Sequence, residues 1–363
     1  MFNPARLTAA RQRRKLTKRA LADALGFDEK TIRRYEVEGE VPPTATLMQI
    51  SRALDFPIEF FSGSDLDELP SEAASFRSLK AMLARDRDAA LVAGSIAFLF
   101  DDWIAERFEL PSPSLLDFKE PVEPEVAAQL LRQRWALGDQ PVPNIVHLLE
   151  AKGVRVFSLS ENTKNVDAFS VWRRDVPYIF LNTYKTAERS RFDAAHELGH
   201  LVLHKHGGAH GGDSESEGQA NSFASAFLMP RAGVLAKTPR AYSLNQIVQA
   251  KRTWRVSAAA LIYRLHKIGA ASDWLYRSLN VQLSKASGGS EPNGIPREVS
   301  LLWEKVFASL RAEQITKHDI AQQLNLPIAE FESLVFGLSR MQSIDGNGLS
   351  SSKSRAKLRV VPS

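Results

Sequence analysis

Residues 191–204 read RFDAAHELGHLVLH, and this stretch decides how the centre of the chain folds. Ala195, Leu198 and Val202 fall on one side, and Phe192, His196, His200 and Leu203 near the other. That is the rhythm of an amphipathic helix. Within it, His196-Glu197-Leu198-Gly199-His200 is an H-E-x-x-H motif. The i, i+4 spacing stacks both imidazoles on one face, about one turn apart. Two imidazoles so placed can share one metal ion, and Glu197 beside them can take a proton from a water on that ion.

A catalytic site of this kind needs a third protein ligand and an open position for water. Spacing offers two candidates. His206 stands where the pattern H-E-x-x-H-x-x-G-x-x-H puts its third histidine, but that pattern breaks the helix with Gly where this chain has Leu203. Glu217 opens the next expected helix, EGQANSFASAFLMP (217–230), and shares a face with Asn221. In that arrangement Asn221 accepts the free N–H of one imidazole and fixes its tautomer. His204, His206 and His210 surround a Gly-rich loop, and an exposed polar loop is the expectation there. His147 and His266 lie in apolar helical stretches and read as core histidines. Trp172 and Tyr178 read as packing or cleft-lining residues, and Tyr184 and Lys185 as candidates to polarise a scissile carbonyl.

Upstream of the motif, EVAAQLLRQRWAL (125–137) and PNIVHLLEAKG (143–153) read as helices and VRVFSL (154–159) as a short strand. DAFSVWRR (167–174) and PYIFLN (177–182) are aromatic and β-rich, and Arg174-Asp175 between them marks a hairpin. Residues 255–283 read as helical.

The stretches RSRFDAAHELGHLVLH (189–204) and EGQANSFASAFLMP, with PVPNIVHLLEAKGVRVF, DAFSVW and PYIFLN before them, resemble the ImmA/IrrE metallopeptidase family from about Val142 to Pro230. The resemblance implies a zincin-like α+β domain with His196 and His200 as metal ligands, Glu217 as the third and Glu197 as catalytic base. Asn221, Phe223-Ala224 and Leu228-Met229-Pro230 also stand where that family has them. The implied cofactor is Zn2+, with Mn2+ or another divalent metal as the alternative.

The N-terminus carries a different signature. Leu7, Ala10, Leu16, Leu21, Leu25, Ile32, Leu47, Ile50 and Leu54 recur at helical spacing. Thr17 is an N-cap before KRALADAL, Gly26 closes that helix, and Asp28 caps EKTIRRYE (29–36). Two short helices around a tight turn, with arginines on the second, form a helix-turn-helix pattern. Residues 16–57 resemble the XRE (phage-repressor) DNA-binding family along their whole length. That likeness implies EKTIRRYE as recognition helix, with Lys30, Thr31, Arg33 and Arg34 reaching bases or phosphates. Charge agrees: residues 1–35 hold ten Lys/Arg against three Asp/Glu, an excess of seven in a chain whose net charge is +5. A basic cluster confined to one end points to a local nucleic-acid contact.

Composition bounds the rest. The 363 residues are 44% hydrophobic and 25% charged, enough for large cores and for two or three domains. With no cysteine, disulfides, zinc ribbons and a cysteine nucleophile are excluded. MFNPARLTAARQRRK lacks the apolar stretch of a secretory signal. The apolar run Ala89–Phe100 is shorter than the ~20 residues of a membrane span and reads as a buried helix, so a cytoplasmic protein is expected.

The expected organisation is an α+β multidomain chain. It comprises a helix-turn-helix domain at 1–62, a linker and connecting helices at 63–115, the zincin-like domain at 116–283, a helical element at 298–340 and a disordered basic tail at 341–363. Residues 63–75 and 284–297 read as linkers by composition. TKHDIAQQLNLPIAEFESLVFGL (316–338) echoes the N-terminal helix-turn-helix rhythm, but its second helix is acidic, so it reads as a packing element. The expected function is a DNA-binding, zinc-dependent endopeptidase that cleaves a transcriptional repressor or regulator. Its partners would be duplex DNA, the regulator and a second copy of the chain on DNA. The alternative is a transcriptional regulator or antitoxin-like DNA binder whose zincin domain senses a ligand or docks a partner without proteolysis.

Overall fold

Capping residues set the first helices where the sequence places them. A computed structural model describes residues 1–69, 83–159, 168–205, 214–238, 243–287, 290–338 and 359–360. Helix α1 (Pro4–Arg13) is capped by the Asn3 side chain, and α2 (Lys18–Leu25) by Thr17, whose hydroxyl accepts from the Ala20 N–H. Gly26 ends α2 at φ +71°, a left-handed conformation that costs glycine least. Asp28 caps α3 (Glu29–Arg33), which runs on as a π-helical turn through Glu38. Helix α4 (Thr44–Leu54) completes the domain.

Helix α5 (Ala84–Ala105) contains the apolar run and is buried along most of its length. It leads to a short strand, β1 (Phe108–Glu109), then to α6 (Pro124–Arg134) and α7 (Ile145–Ala151). Three strands form the sheet beneath the motif: β2 (Arg155–Leu159), β3 (Phe169–Arg173) and β4 (Val176–Asn182), in the order β2-β4-β3. Strands β3 and β4 are antiparallel, joined through Arg174 and Asp175 at φ +48° and +62°. Two successive positive φ values are the signature of a type I′ hairpin turn, whose twist matches that of the strands. Strand β2 pairs in parallel with β4.

The sheet is covered on both faces. Phe157, Phe169, Val171, Tyr178 and Phe180 belong to one core, and Val156, Ala168, Ile179 and Leu181 to the other. Period-2 alternation thus sends Ser170, between Phe169 and Val171, to the opposite face, where the motif helix α8 (Ala187–Leu203) lies. Helix α9 (Ser214–Leu228) packs across α8. A Cβ on Gly199 would sit 3.1 Å from the Phe223 ring and 3.3 Å from the Ala220 backbone, so glycine in the motif permits this close crossing. Helices α10 (Arg231–Lys237), α11 (Leu244–Trp254), α12 (Ala258–Lys267) and α13 (Asp273–Ser287) follow. The C-terminal element comprises α14 (Leu301–Ala312), α15 (Lys317–Gln323) and α16 (Ile328–Val335). Strand β5 (Arg359–Val360) pairs antiparallel with β1; the remainder of 341–363 lies outside the described residues.

The segments that composition marks as linkers are fastened to the body. Asp67 accepts from Arg173 and Arg174 of the hairpin, and Leu69 is buried; residues 70–75 lie outside the described residues. Within 284–297, the last turns of α13 take up the first residues. Glu291 then pairs with the buried Lys251, and the Ile295 N–H donates to Glu188. Glycine and proline content speaks for turns. It does not report the ion pairs that anchor them.

Candidate metal centre and nucleic-acid face

His196 and His200, one turn apart on α8, bring their Nε2 atoms within 3.1 Å of each other. Glu217, in the first turn of α9, faces both, with carboxylate oxygens 3.4 Å from each Nε2. One ligand atom from each of the three residues lies within 4.8 Å of the others. The helix begins at Ser214, three residues before Glu217, so Glu217 stands inside it and not at its opening. From the same helix, Asn221 Oδ1 lies 3.2 Å from His196 Nδ1. An amide oxygen only accepts, so His196 carries a proton on Nδ1 and turns its Nε2 towards Glu217 and His200. Lone pairs from two imidazoles and a carboxylate therefore meet at one buried spot, and a divalent cation with N/O ligands fits that donor set.

Electrostatics follow from burial and from this convergence. Burial pulls both imidazoles down. For His196 it is outweighed by the hydrogen bond to Glu217 and by the charges of Glu197, Glu217 and Asp193, and the group ends above its usual value. For His200 burial prevails over Glu217, and the group falls to about 4. Burial pushes Glu217 up, but the two imidazoles beside it hold it well below the usual carboxylate range. Glu197 is pushed up to about 8 by burial, against the lowering effects of His196 and of the hydrogen bond from Ser170. The Ser170 hydroxyl donates to Glu197 Oε2 at 2.7 Å.

Other features of the site are not legible from the motif. Ser170 touches Glu197 from the edge strand β3, a consequence of strand register that no local pattern marks. His204 does not stand in an exposed loop: its Nδ1 lies 3.0 Å from His200 Nδ1, and its Nε2 lies 2.9 Å from Gln219 Oε1. The i, i+4 spacing of His200 and His204 is the signal that could have found it. His206 and His210 lie outside the described residues. Trp172 Nε1 donates to the Leu201 carbonyl, and Tyr178 is buried with its hydroxyl on Asp101. Lys185 pairs with Asp193, and Tyr184 is exposed. His147 is half-buried, whereas His266 pairs with Asp273 at 2.7 Å near the surface and is not a core residue.

At the other end of the chain, Lys30, Arg33 and Arg34 are exposed around α3, with Thr31 half-buried beside them. Many of the other basic residues are engaged within the molecule. Arg11 pairs with Glu36, Arg13 and Arg14 with Glu330, and Lys15 with Asp86. The basic excess of residues 1–35 is thereby divided between internal ion pairs and exposed side chains, Lys30, Arg33 and Arg34 around α3 and Arg19 on α2.

Residues 7–61 match the helix-turn-helix family, and residues 149–266 match the family described as IrrE N-terminal-like domain. The chain thus joins a segment that matches one family to a segment that matches the other. A comparison with curated proteins found no match. The fused chain is an α+β multidomain protein, a DNA-binding type of regulator carrying a metallopeptidase-like domain. Among the described residues, no helix is long and apolar enough to cross a membrane.

Proposed function

We propose that this chain is a cytoplasmic, DNA-bound metallo-endopeptidase that cleaves a transcriptional repressor or regulator and so relieves repression. The observation that carries this reading is the convergence of His196, His200 and Glu217 within 4.8 Å beside a buried Glu197. His196, His200 and Glu217 would hold the metal, Zn2+ being the first candidate for two imidazoles and a carboxylate. When bound, the ion supplies Lewis acidity to a peptide carbonyl and lowers the pKa of water. Glu197 is the proton carrier. Ser170 occupies its Oε2, which leaves Oε1 to take a proton from the attacking water and deliver it to the leaving amine nitrogen. A raised carboxyl suits both halves of that transfer near neutral pH. Strand β3 is the edge of its sheet and carries Ser170, so an extended peptide adding to that edge would lie next to Glu197.

Lys30, Thr31, Arg33 and Arg34 would bind duplex DNA, with two copies of the chain reading paired half-sites. The protease reading is tested by measuring metal content and cleavage of a co-expressed repressor in wild type and Glu197→Gln. We expect about one Zn2+ per chain in both, one specific cut in wild type and none in the variant. Equal metal content with no cut by either protein would favour a sensing or docking role instead.

A further inference from the structure

Within the reading of His196, His200 and Glu217 as metal ligands, we infer that His204 and Gln219 are positioning residues that fix the tautomer of His200. The direction of the hydrogen bonds is set from the outer end. Glu215 offers only acceptors, so Gln219, whose Nε2 lies 3.2 Å from Glu215 Oε1, must turn its amide nitrogen there and its Oε1 inward. The reverse orientation would set two acceptor oxygens against each other. Gln219 Oε1 therefore accepts from His204 Nε2 at 2.9 Å. With its proton on Nε2, His204 turns a lone pair on Nδ1 to His200, and the 3.0 Å contact with His200 Nδ1 requires His200 to donate. His200 so held has its Nε2 lone pair free, and that atom faces Glu217 and His196. Asn221 does the same for His196 in one step. The two ligand imidazoles are thus oriented by different devices, both rooted on α9. The histidine that follows α8's last turn acts as a spacer between His200 and an acceptor that α9 could not otherwise bring within reach.

A packing role for His204 predicts a loss of stability alone. The relay predicts a change in the His200 tautomer and in metal affinity. The test uses full-length protein with 15N-labelled histidine. Two-bond 1H–15N spectra of the metal-free chain report which ring nitrogen carries the proton, and competition against a chromophoric chelator reports Zn2+ affinity. In wild type we expect His200 protonated on Nδ1 and His204 on Nε2. In His204→Ala and in Gln219→Leu, His200 should populate the Nε2–H form, and Zn2+ affinity should fall by about 10–100-fold, the usual cost of losing an outer partner of a metal-bound histidine. Gln219 is half-buried, and its variants keep the His204 ring in place, so they report even if His204→Ala folds poorly. Wild-type Zn2+ affinity in Gln219→Leu, or an Nε2–H tautomer of His200 in the unmodified chain, would overturn the relay. Failure of the wild-type chain to bind Zn2+ would instead remove the metal reading, and the tautomer spectra alone would then decide the relay.

Discussion

Glu217 is the residue on which the two ways of completing the metal site diverge. Its carboxylate faces both imidazoles at 3.4 Å, whereas His206 lies just outside the described residues. Losing a direct ligand should cost more than the roughly 10–100-fold that an outer partner is worth. Glu217→Ala should therefore weaken Zn2+ binding by more than about 100-fold, and His206→Ala should leave it unchanged. The opposite ranking in a chelator competition would make the third ligand a histidine. A second buried carboxyl makes a prediction about pH. Glu150 on α7 accepts from Ser300 and from the Leu301 and Leu302 N–H groups at the start of α14, yet burial pushes it up to about 7 from an ordinary 4.5. Between those values the native protein binds a proton that the unfolded chain has released. This group's contribution is therefore intact below pH 4.5, declines as pH rises towards 7, and is level above it. Glu150→Gln mimics the protonated form. Its melting temperature relative to wild type should rise from pH 5 to pH 7.5, by an amount equivalent to at most about 3 kcal/mol. Parallel melting curves across that range would show that Glu150 ionises in the native state as it does in water.

Elements differ in how far local sequence specifies them. Thr17, Gly26 and Asp28 announce the helix-turn-helix because caps act within three residues, and the i, i+4 histidines announce the face of α8 for the same reason. The hairpin is equally local: Arg174 and Asp175 sit between two aromatic strands. The parallel pairing of β2 with β4 is not legible, since alternation tells which face a side chain takes but not which strand lies alongside. Ser170 illustrates the consequence, because its contact with Glu197 depends on that stacking of sheet and helix. The acidic character of α16 marks it as a packing element, but its partners on α1 are more than 300 positions away in sequence. Helix α3 is the element whose exposure speaks most directly to function. With Arg11, Arg13, Arg14 and Lys15 occupied internally, Arg33 and Arg34 of EKTIRRYE are exposed, Arg34 beside Glu40. Replacing Arg33 and Arg34 with Ala should lower DNA affinity and reduce the slope of log K against log salt by roughly one unit for each phosphate that is no longer neutralised. An unchanged slope would place the DNA-binding surface elsewhere on the domain.

At the scale of the molecule, the two domains share a core. Leu7, Ile50 and Phe61 belong to the same apolar cluster as Ile96 and Phe100 of α5, Phe157 of β2, and Trp303 and Phe331 of the C-terminal helices. A polar clasp closes this junction, since Arg13 and Arg14 at the end of α1 both reach Glu330 on α16. Arg13 and Glu330 are 9% and 6% exposed in their side chains, so water cannot replace either partner. Removing one member of a buried ion pair typically costs about 3–5 kcal/mol, more than the pair itself contributes. The wild-type chain should accordingly melt in one cooperative transition with the helix-turn-helix domain included. Glu330→Ala should split off an earlier transition for residues 1–62 and speed proteolytic nicking between the domains, while Zn2+ affinity at the His196/His200/Glu217 cluster stays the same. Calorimetry showing two independent transitions already in wild type, or no change in Glu330→Ala, would mean that the domains are merely tethered. In that case orientation on DNA would not fix where the peptidase domain points. A single transition that splits in the variant would mean that the operator holds the DNA-binding helix and the metal centre in one fixed geometry, so that only a substrate presented on that side of the DNA comes within reach.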